Sequence, residues 1–139
     1  MSIEFDGLDE ILKSLEKPVS QERLEKTLMK ACLLVESRAK ELVPKGKTGD
    51  LGRSITSRVE EDKGIVYTPL EYAPYVEYGT GLFAEGGNGR KDVPWAYEDE
   101  ETGELIWTSG QHPQPYMRPA LDQSREEIKT ILREGLLND

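Results

Sequence analysis

The sequence predicts an α+β fold, in which an antiparallel sheet of two hairpins packs against a long helix, with a further helix near each end of the chain. Apolar residues recur at helical spacing in three segments, and four short segments rich in β-branched and aromatic residues form two pairs joined by polar turns. The alternation of strand and helix that builds a parallel sheet is absent. A chain of 139 residues has the size of one domain, so a single domain over residues 1–139 is expected.

The long helix is predicted to begin after Ser20, whose hydroxyl group suits an N-cap. Leucine, alanine and valine then mark one continuous helical face as far as Leu42. Pro44 and Gly46 follow directly and end the segment. This helix is expected to be the longest element of the chain.

The two other helices are predicted near the chain ends. Leucine and isoleucine recur at helical spacing from Asp6 to Leu15, and Pro18 stops the segment. The last helix is expected to start near Pro119, which suits a first helical turn, and to extend past Leu136. Each of these helices has one apolar face to bury.

The two hairpins follow from alternating apolar residues on either side of polar turns. The first joins strands Ile55 to Val59 and Gly64 to Thr68 through an acidic turn. The second joins Val93 to Tyr97 and Glu104 to Trp107. Both tryptophans of the chain lie in this second hairpin.

Two connecting segments contain residues with defined backbone preferences. Thr48 or Asp50 is expected to cap a short helical turn that ends at Gly52 and leads into the first hairpin. Pro74 is expected at the edge or the start of a strand, because proline cannot donate a ladder hydrogen bond. Residues 79–92 hold five glycines and little apolar surface, so this segment is predicted to be a mobile loop.

The charge of the chain disfavours several classes of function. The net charge is −9, and most of the excess acid lies after residue 70. Such a surface repels phosphate groups, which disfavours both sequence-independent nucleic-acid binding and a membrane-surface role. No apolar run is long enough to span a membrane, and the N-terminus lacks the basic start of a signal peptide.

Candidate catalytic motifs fail on inspection. Gly46-Lys47-Thr48 resembles the end of a phosphate-binding loop, but Glu41 occupies the position of the required glycine. The segment from Gly79 to Gly89 matches a loose dinucleotide-binding pattern, but its glycines cannot begin the helix whose N-terminus would hold the pyrophosphate. His112, the only histidine, lies in a segment that suits a surface turn. Cys32, the only cysteine, lies in an apolar helical segment and suits a buried position. We therefore expect no catalytic residue, no cofactor and no metal ion.

The acidic run Glu98 to Glu101 leaves one alternative of another class open. Carboxylates can bind a divalent cation, and a metal site there would indicate a small metal-dependent hydrolase or nuclease. Four consecutive acids at a hairpin tip point in different directions, however, which favours a solvated turn.

Aromatic, methionine and arginine side chains beside glycines are typical of protein interfaces. They occur in Tyr72 to Gly81 and again in Gln114 to Leu121, where ordinary core packing is the competing interpretation. The predicted interface residues are Tyr75, Tyr78, Gly79, Gly81, Leu82, Phe83, Tyr116, Met117 and Arg118.

Three segments, in this order and spacing, resemble a known family. They are Lys47 to Ile55 after the long helix, Tyr72 to Gly81, and Gln114 to Ala120. The chain is similar to the small tail components of long-tailed, non-contractile bacteriophages, known as tail-completion or head-tail joining (neck) proteins. The resemblance covers nearly the whole chain.

The resemblance implies a non-enzymatic structural protein of a phage or prophage virion, assembled in the host bacterial cytoplasm. Such a protein forms a ring, expected to contain six copies, that joins the head connector to the tail tube. Its expected partners are further copies of itself, the head connector or completion protein, and the tail tube or its terminator. DNA would pass through the lumen without specific binding, and no membrane is involved. One alternative within the same class is a tail terminator that caps the tube. Another, which is neither a virion structural protein nor an enzyme, is a monomeric module that binds host proteins.

Overall fold

The computed structural model describes residues 1–5, 11, 13–15, 17–46 and 48–137. The chain forms two compact units, one made of residues 1–70 and 116–139, the other of residues 71–115. Both contain helical and antiparallel strand segments, so the predicted α+β class is confirmed. The two predicted hairpins lie in different units and form separate sheets.

The elements of the larger unit are, in chain order, β1 (Ser2–Phe5), α1 (Gln21–Leu42), α2 (Asp50–Ser54), β2 (Thr56–Glu60), β3 (Lys63–Tyr67) and, after the smaller unit, a C-terminal helix. The smaller unit contains α3 (Ala73–Tyr78), two short 3-10 turns (Gly81–Phe83 and Glu85–Gly87), β4 (Trp95–Glu98) and β5 (Leu105–Thr108). The C-terminal helix, α4, spans Met117–Leu137. Among the described residues, no helix has the length and apolar character needed to cross a membrane.

Helix α1 confirms the prediction at both ends. The Ser20 hydroxyl group accepts a hydrogen bond of 3.1 Å from the backbone N–H of Arg23, which is an N-cap. Leu42 is the last helical residue, ahead of Pro44. The helix packs against the sheet and against α4, and its inward residues are fully buried.

The sheet of the larger unit has the order β1-β3-β2, and all pairs are antiparallel. The β2–β3 hairpin was predicted, but β1 was not. Its Phe5 lies opposite Gly64 of β3, where an added Cβ would be 2.6 Å from the Phe5 ring and 2.7 Å from the Cys32 sulfur. Glycine is therefore needed at this position to let the edge strand and α1 approach β3.

Helix α2 is the short turn predicted after the long helix, with two corrections. It continues to Ser54 and does not end at Gly52. Gly49, with a φ of 70°, takes the N-cap position, and no side chain caps the helix. The Thr48 hydroxyl group instead accepts a hydrogen bond of 3.3 Å from the backbone N–H of Asp50.

The N-terminal helix predicted from Asp6 to Leu15 lies largely outside the described residues. Of that segment, the structure describes Ile11, which is buried, and residues 13–15. The last predicted helix is α4, and its observed start at Met117 places Pro119 in the first turn, as expected.

Candidate protein interface

An open, mainly apolar groove of about 640 Å³ lies within residues 71–115. Its walls come from helix α3, from the 3-10 turns and from the first strand of the β4–β5 hairpin. The lining residues are Pro74, Tyr75, Tyr78, Gly79, Thr80, Gly81, Ala84, Glu85, Asn88, Gly89, Arg90 and Trp95. The groove thus collects much of the aromatic and glycine segment that the sequence indicated.

Helix α3 presents the two groove tyrosines. Pro74 lies in its first turn, where no backbone N–H is needed, so the predicted strand edge at this proline is wrong. Gly79 ends the helix with a φ of 83°, and its N–H donates to the carbonyl group of Tyr75 over 2.9 Å. Tyr75 and Tyr78 remain 59% and 40% exposed, so they are available for contact with a partner.

A paired stretch of backbone holds the segment after α3 in place. The Thr80 N–H donates to the Gln111 carbonyl group over 2.9 Å, and the Leu82 N–H donates to that of Ser109 over 3.0 Å. The Gln111 N–H in turn donates to the Thr80 hydroxyl group over 2.9 Å. We call residues 79–82 and 109–111 the glycine clasp, because Gly79, Gly81 and Gly110 lie in it.

Close backbone approach explains several of the glycines. An added Cβ at Gly81 would lie 2.2 Å from the carbonyl oxygen of Ser109, and one at Gly110 would lie 2.1 Å from that of Thr80. A Cβ at Gly89 would lie 2.1 Å from the carbonyl oxygen of Gly81. All three positions need glycine for space, and Gly81 and Gly110, with φ values of 61° and 124°, need it for conformation as well. The mobility expected of residues 79–92 stays a prediction.

A charged pair borders the groove beside Trp95. The guanidinium group of Arg90 lies 5.0 Å from the centre of the Trp95 ring and donates to the Asp92 carboxylate over 2.9 Å. The hydrogen bond from Arg90 lowers the pKa of Asp92 below its ordinary value. The Arg90 guanidinium group lies over the indole ring, a geometry that favours cation–π attraction.

Comparison with known proteins identifies the family. The model of the HK97-gp10-like family, described as "Bacteriophage HK97-gp10, putative tail-component", matches residues 6–79, more than half of the chain. The chain belongs to this family. No curated protein and no solved structure matches it.

The family match confirms the resemblance to phage tail components and gives the chain a structural role in the phage virion. It reaches from the N-terminal segment to Gly79, the residue that ends α3. The groove tyrosines lie inside the matched region, whereas the β4–β5 hairpin and α4 follow it.

The structure divides the predicted interface residues of this family member into exposed, half-buried and buried ones. Leu82 and Phe83 are exposed like the groove tyrosines, while Gly79 and Gly81 are buried in the glycine clasp. Tyr116 and Met117 have no exposed surface, so their assignment to an interface is corrected: they are core residues at the start of α4. The competing interpretation, core packing, holds for these two.

Arg118, the remaining predicted residue, is half-buried at the same helix start. Two large apolar residues that the sequence prediction omitted are much more exposed: Leu105 by 69% and Trp107 by 66%. Their spacing of two along a strand was the available signal, since it places both side chains on one face of the hairpin.

The residues considered for catalysis lie apart from the groove lining. His112 is exposed, and its ring lies 4.0 Å from that of Phe83, centre to centre. In the acidic turn, the Asp99 carboxylate accepts hydrogen bonds from the backbone N–H groups of Glu101 (2.8 Å) and Thr102 (3.2 Å). Within the described ranges, no three acidic, histidine or cysteine side chains are grouped as metal ligands.

Proposed function

We propose that this protein forms a ring, of six copies, at the neck of a long-tailed phage, where it joins the head connector to the tail tube. Its membership of a tail-component family supports a structural role in the virion. The observation that carries the proposal further is the mainly apolar groove of residues 71–115, with two exposed tyrosines in its lining. Such a surface is suited to contact with other proteins.

The exposed side chains around the groove give it the chemistry of a docking surface. Tyr75 is 59% exposed and Tyr78 40% exposed, and burial of aromatic rings contributes much of the energy of protein interfaces. The glycine clasp holds the lining residue Thr80 by its backbone N–H, which reduces the entropy lost when a partner binds. The groove therefore offers a preformed site to the head connector, the tail tube or the terminator.

Charge fits a protein that surrounds DNA without holding it. The net charge is −9, and the part of the chain after residue 70 carries most of the excess acid. An acidic lumen repels the DNA backbone, so DNA could pass through the ring without specific binding.

The genetic test is deletion of this gene in the phage or prophage that carries it. DNA-filled heads and separate tails of normal length should accumulate, and the wild-type gene should restore joined particles. Tails of abnormal length would contradict the joining role and support a terminator that caps the tube. Normal joined virions in the deletion would overturn the neck assignment.

The groove is tested by complementing that deletion with Tyr75→Ala. Truncation of an interface tyrosine should lower the yield of infectious particles by roughly tenfold or more. Tyr72→Ala is the matched control, because Tyr72 is 45% exposed and does not line the groove. Equal yields from the two variants, with equal melting temperatures, would show that the groove is not a docking site.

A further inference from the structure

The β4–β5 hairpin presents an apolar face that stays exposed. In its register Trp107 lies opposite Ala96 and Leu105 opposite Glu98, so these four side chains share one face. Trp107 is 66% exposed and Leu105 69% exposed. Tryptophan is among the residues most enriched at the energetic centres of interfaces.

The same hairpin is strongly acidic and has a well-ordered tip. Residues 95–108 contain five acidic side chains and no basic one. The Asp99 N–H donates to the Glu104 carbonyl group over 2.8 Å, and the Gly103 N–H donates to the Asp99 carbonyl group over 2.8 Å. The hairpin therefore combines an exposed apolar face with a local excess of negative charge, and a complementary partner would offer an apolar cavity with basic groups around it.

The larger unit of this chain carries a surface of that kind. A cavity of about 310 Å³, which we call the basic corner, lies where α1 turns into α2. It is lined by Lys40, Val43, Lys45, Gly49, Gly52 and Arg53. Its apolar floor includes Val43, and its volume is at the lower end of the range for ligand pockets, about 300–1,000 Å³.

The basic groups of this corner are available to an acidic partner. Arg53 forms an exposed pair with Asp50, and Lys40 forms a partly buried pair with Glu36 over 3.3 Å. Lys45 makes no ion pair within the described part of the chain. Over residues 40–53 the sequence has four basic and two acidic side chains, in a protein with a net charge of −9. Exposed ion pairs exchange partners at little cost.

We propose that the β4–β5 hairpin of one copy docks on the basic corner of the next copy, with Trp107 in the cavity and the acidic tip against Lys40, Lys45 and Arg53. The inference rests on the ring proposed above and names the contact that builds it. A second copy is the occupant because every chain carries both complementary surfaces, negative on the hairpin and positive at the corner. Such a contact joins two different patches, and repeated contacts of this kind build a ring when the rotation between copies closes. It also supplies local attraction that overcomes the repulsion between acidic subunits.

Site-directed cross-linking tests the contact directly. In cells producing the deletion phage, Leu105→Cys and Lys45→Cys variants are expressed together and treated with a short bis-maleimide. Covalent dimers should form from the mixture and not from either variant alone, and the double variant should give a ladder that ends at the ring size. Cys32 is fully buried, so it adds little background. Lys129→Cys replaces Lys45→Cys as the control, because Lys129 lies on α4 and does not line the corner.

Charge exchange provides the second test. Glu104→Lys and Lys45→Glu should each lower infectious yield by roughly tenfold, and the double variant should recover most of it because the attraction is restored. If the double variant with Glu104→Lys and Lys45→Glu does not recover the yield, and the mixed cysteine variants form no cross-linked dimer, the hairpin contact is overturned. Dimers from Leu105→Cys alone would replace it with a two-fold contact.

The outcomes also separate this inference from the proposed function. If the deletion leaves heads and tails unjoined and Tyr75→Ala is defective, but no mixed cross-link forms, the neck role stands and the hairpin contact fails. If heads and tails join without the protein, the neck role fails whatever the cross-links show.

Discussion

Arg38 of α1 and Ser124 of α4 join the two longest helices: the guanidinium group donates a hydrogen bond of 3.0 Å to the Ser124 hydroxyl group. The same guanidinium group donates to the Gln123 carbonyl group over 2.8 Å and pairs with the Glu127 carboxylate. Ser124 is fully buried, and its hydroxyl group donates to the Ala120 carbonyl group over 2.6 Å. One arginine therefore bridges three residues along a turn of the neighbouring helix.

Replacing this arginine should weaken the helix pair. Arg38→Met keeps much of the aliphatic stem and removes all three contacts, so the free energy of unfolding in urea should fall by about 1–3 kcal/mol. Lys26→Met is the control, because the exposed pair of Lys26 with Glu22 contributes well under about 1 kcal/mol. Equal losses from the two variants would contradict the bridging role.

Gly135→Ala should destabilise the protein although alanine favours helices. An added Cβ would lie 2.5 Å from Cγ2 of Thr27 and 2.6 Å from its hydroxyl oxygen. Overpacking of this kind costs about 1–3 kcal/mol, more than the gain of about 1 kcal/mol in helix propensity. Thr27→Ala removes the two closest atoms and leaves its Cβ 3.1 Å away, so Gly135→Ala should cost much less in that background. A stabilised single variant in a urea titration would refute the close contact.

The stability of the larger unit should fall in alkaline solution because of Cys32. Burial raises the pKa of its thiol from 9.0 to about 11. Below pH 9.0 the thiol is neutral in both states, but as the pH rises towards 11 only the unfolded chain ionises, which favours unfolding. Cys32→Ala should remove this component of the pH dependence, measured as the difference between the two unfolding free energies. A difference that stays constant from pH 8 to about 11 would contradict the raised pKa.

Gly81→Ala should open the glycine clasp. The added Cβ would meet the Ser109 carbonyl oxygen at 2.2 Å, so the Leu82 N–H should lose its partner and exchange faster with solvent. Gly87→Ala is the matched control, since Gly87 also has a positive φ, 71°, but has nothing within 4 Å of an added Cβ. Amide exchange should change little in the control. Similar exchange at Leu82 in both variants would contradict the close contact between residue 81 and the Ser109 carbonyl oxygen.

Amide exchange in the wild-type protein also tests the mobility predicted for residues 79–92. The N–H groups of Thr80 and Leu82 donate to carbonyl groups of the clasp, so they should be protected. Beyond the 3-10 turn Glu85–Gly87, the exposed residues up to Asp92 should exchange fast. Uniform protection across the whole segment would mean that no part of it is mobile.

Elements with a complete local signal could be predicted from the sequence. Ser20 and Pro44 delimit α1 because capping and the restricted φ of proline act over a few residues. The two hairpins, β2–β3 and β4–β5, follow from alternation around tight turns, since the partner strand is the next one along the chain. The aromatic and glycine segment around Tyr75 was recognised by composition, and it does line a groove.

Long-range packing decided the other features of the fold, because no local sequence pattern encodes contacts between distant segments. Strand β1 forms by pairing with β3, more than 55 residues away. The need for glycine at position 64 becomes clear only when Phe5 of β1 is seen to lie against it. Tyr116 and Met117 had the composition of interface residues, and only the fold shows them fully buried. The sequence by itself determined the α+β class, α1 and the hairpins through local propensity. The tertiary structure alone decided the two units, and it distinguished buried aromatic groups from exposed ones, because burial depends on contacts between segments far apart in the chain.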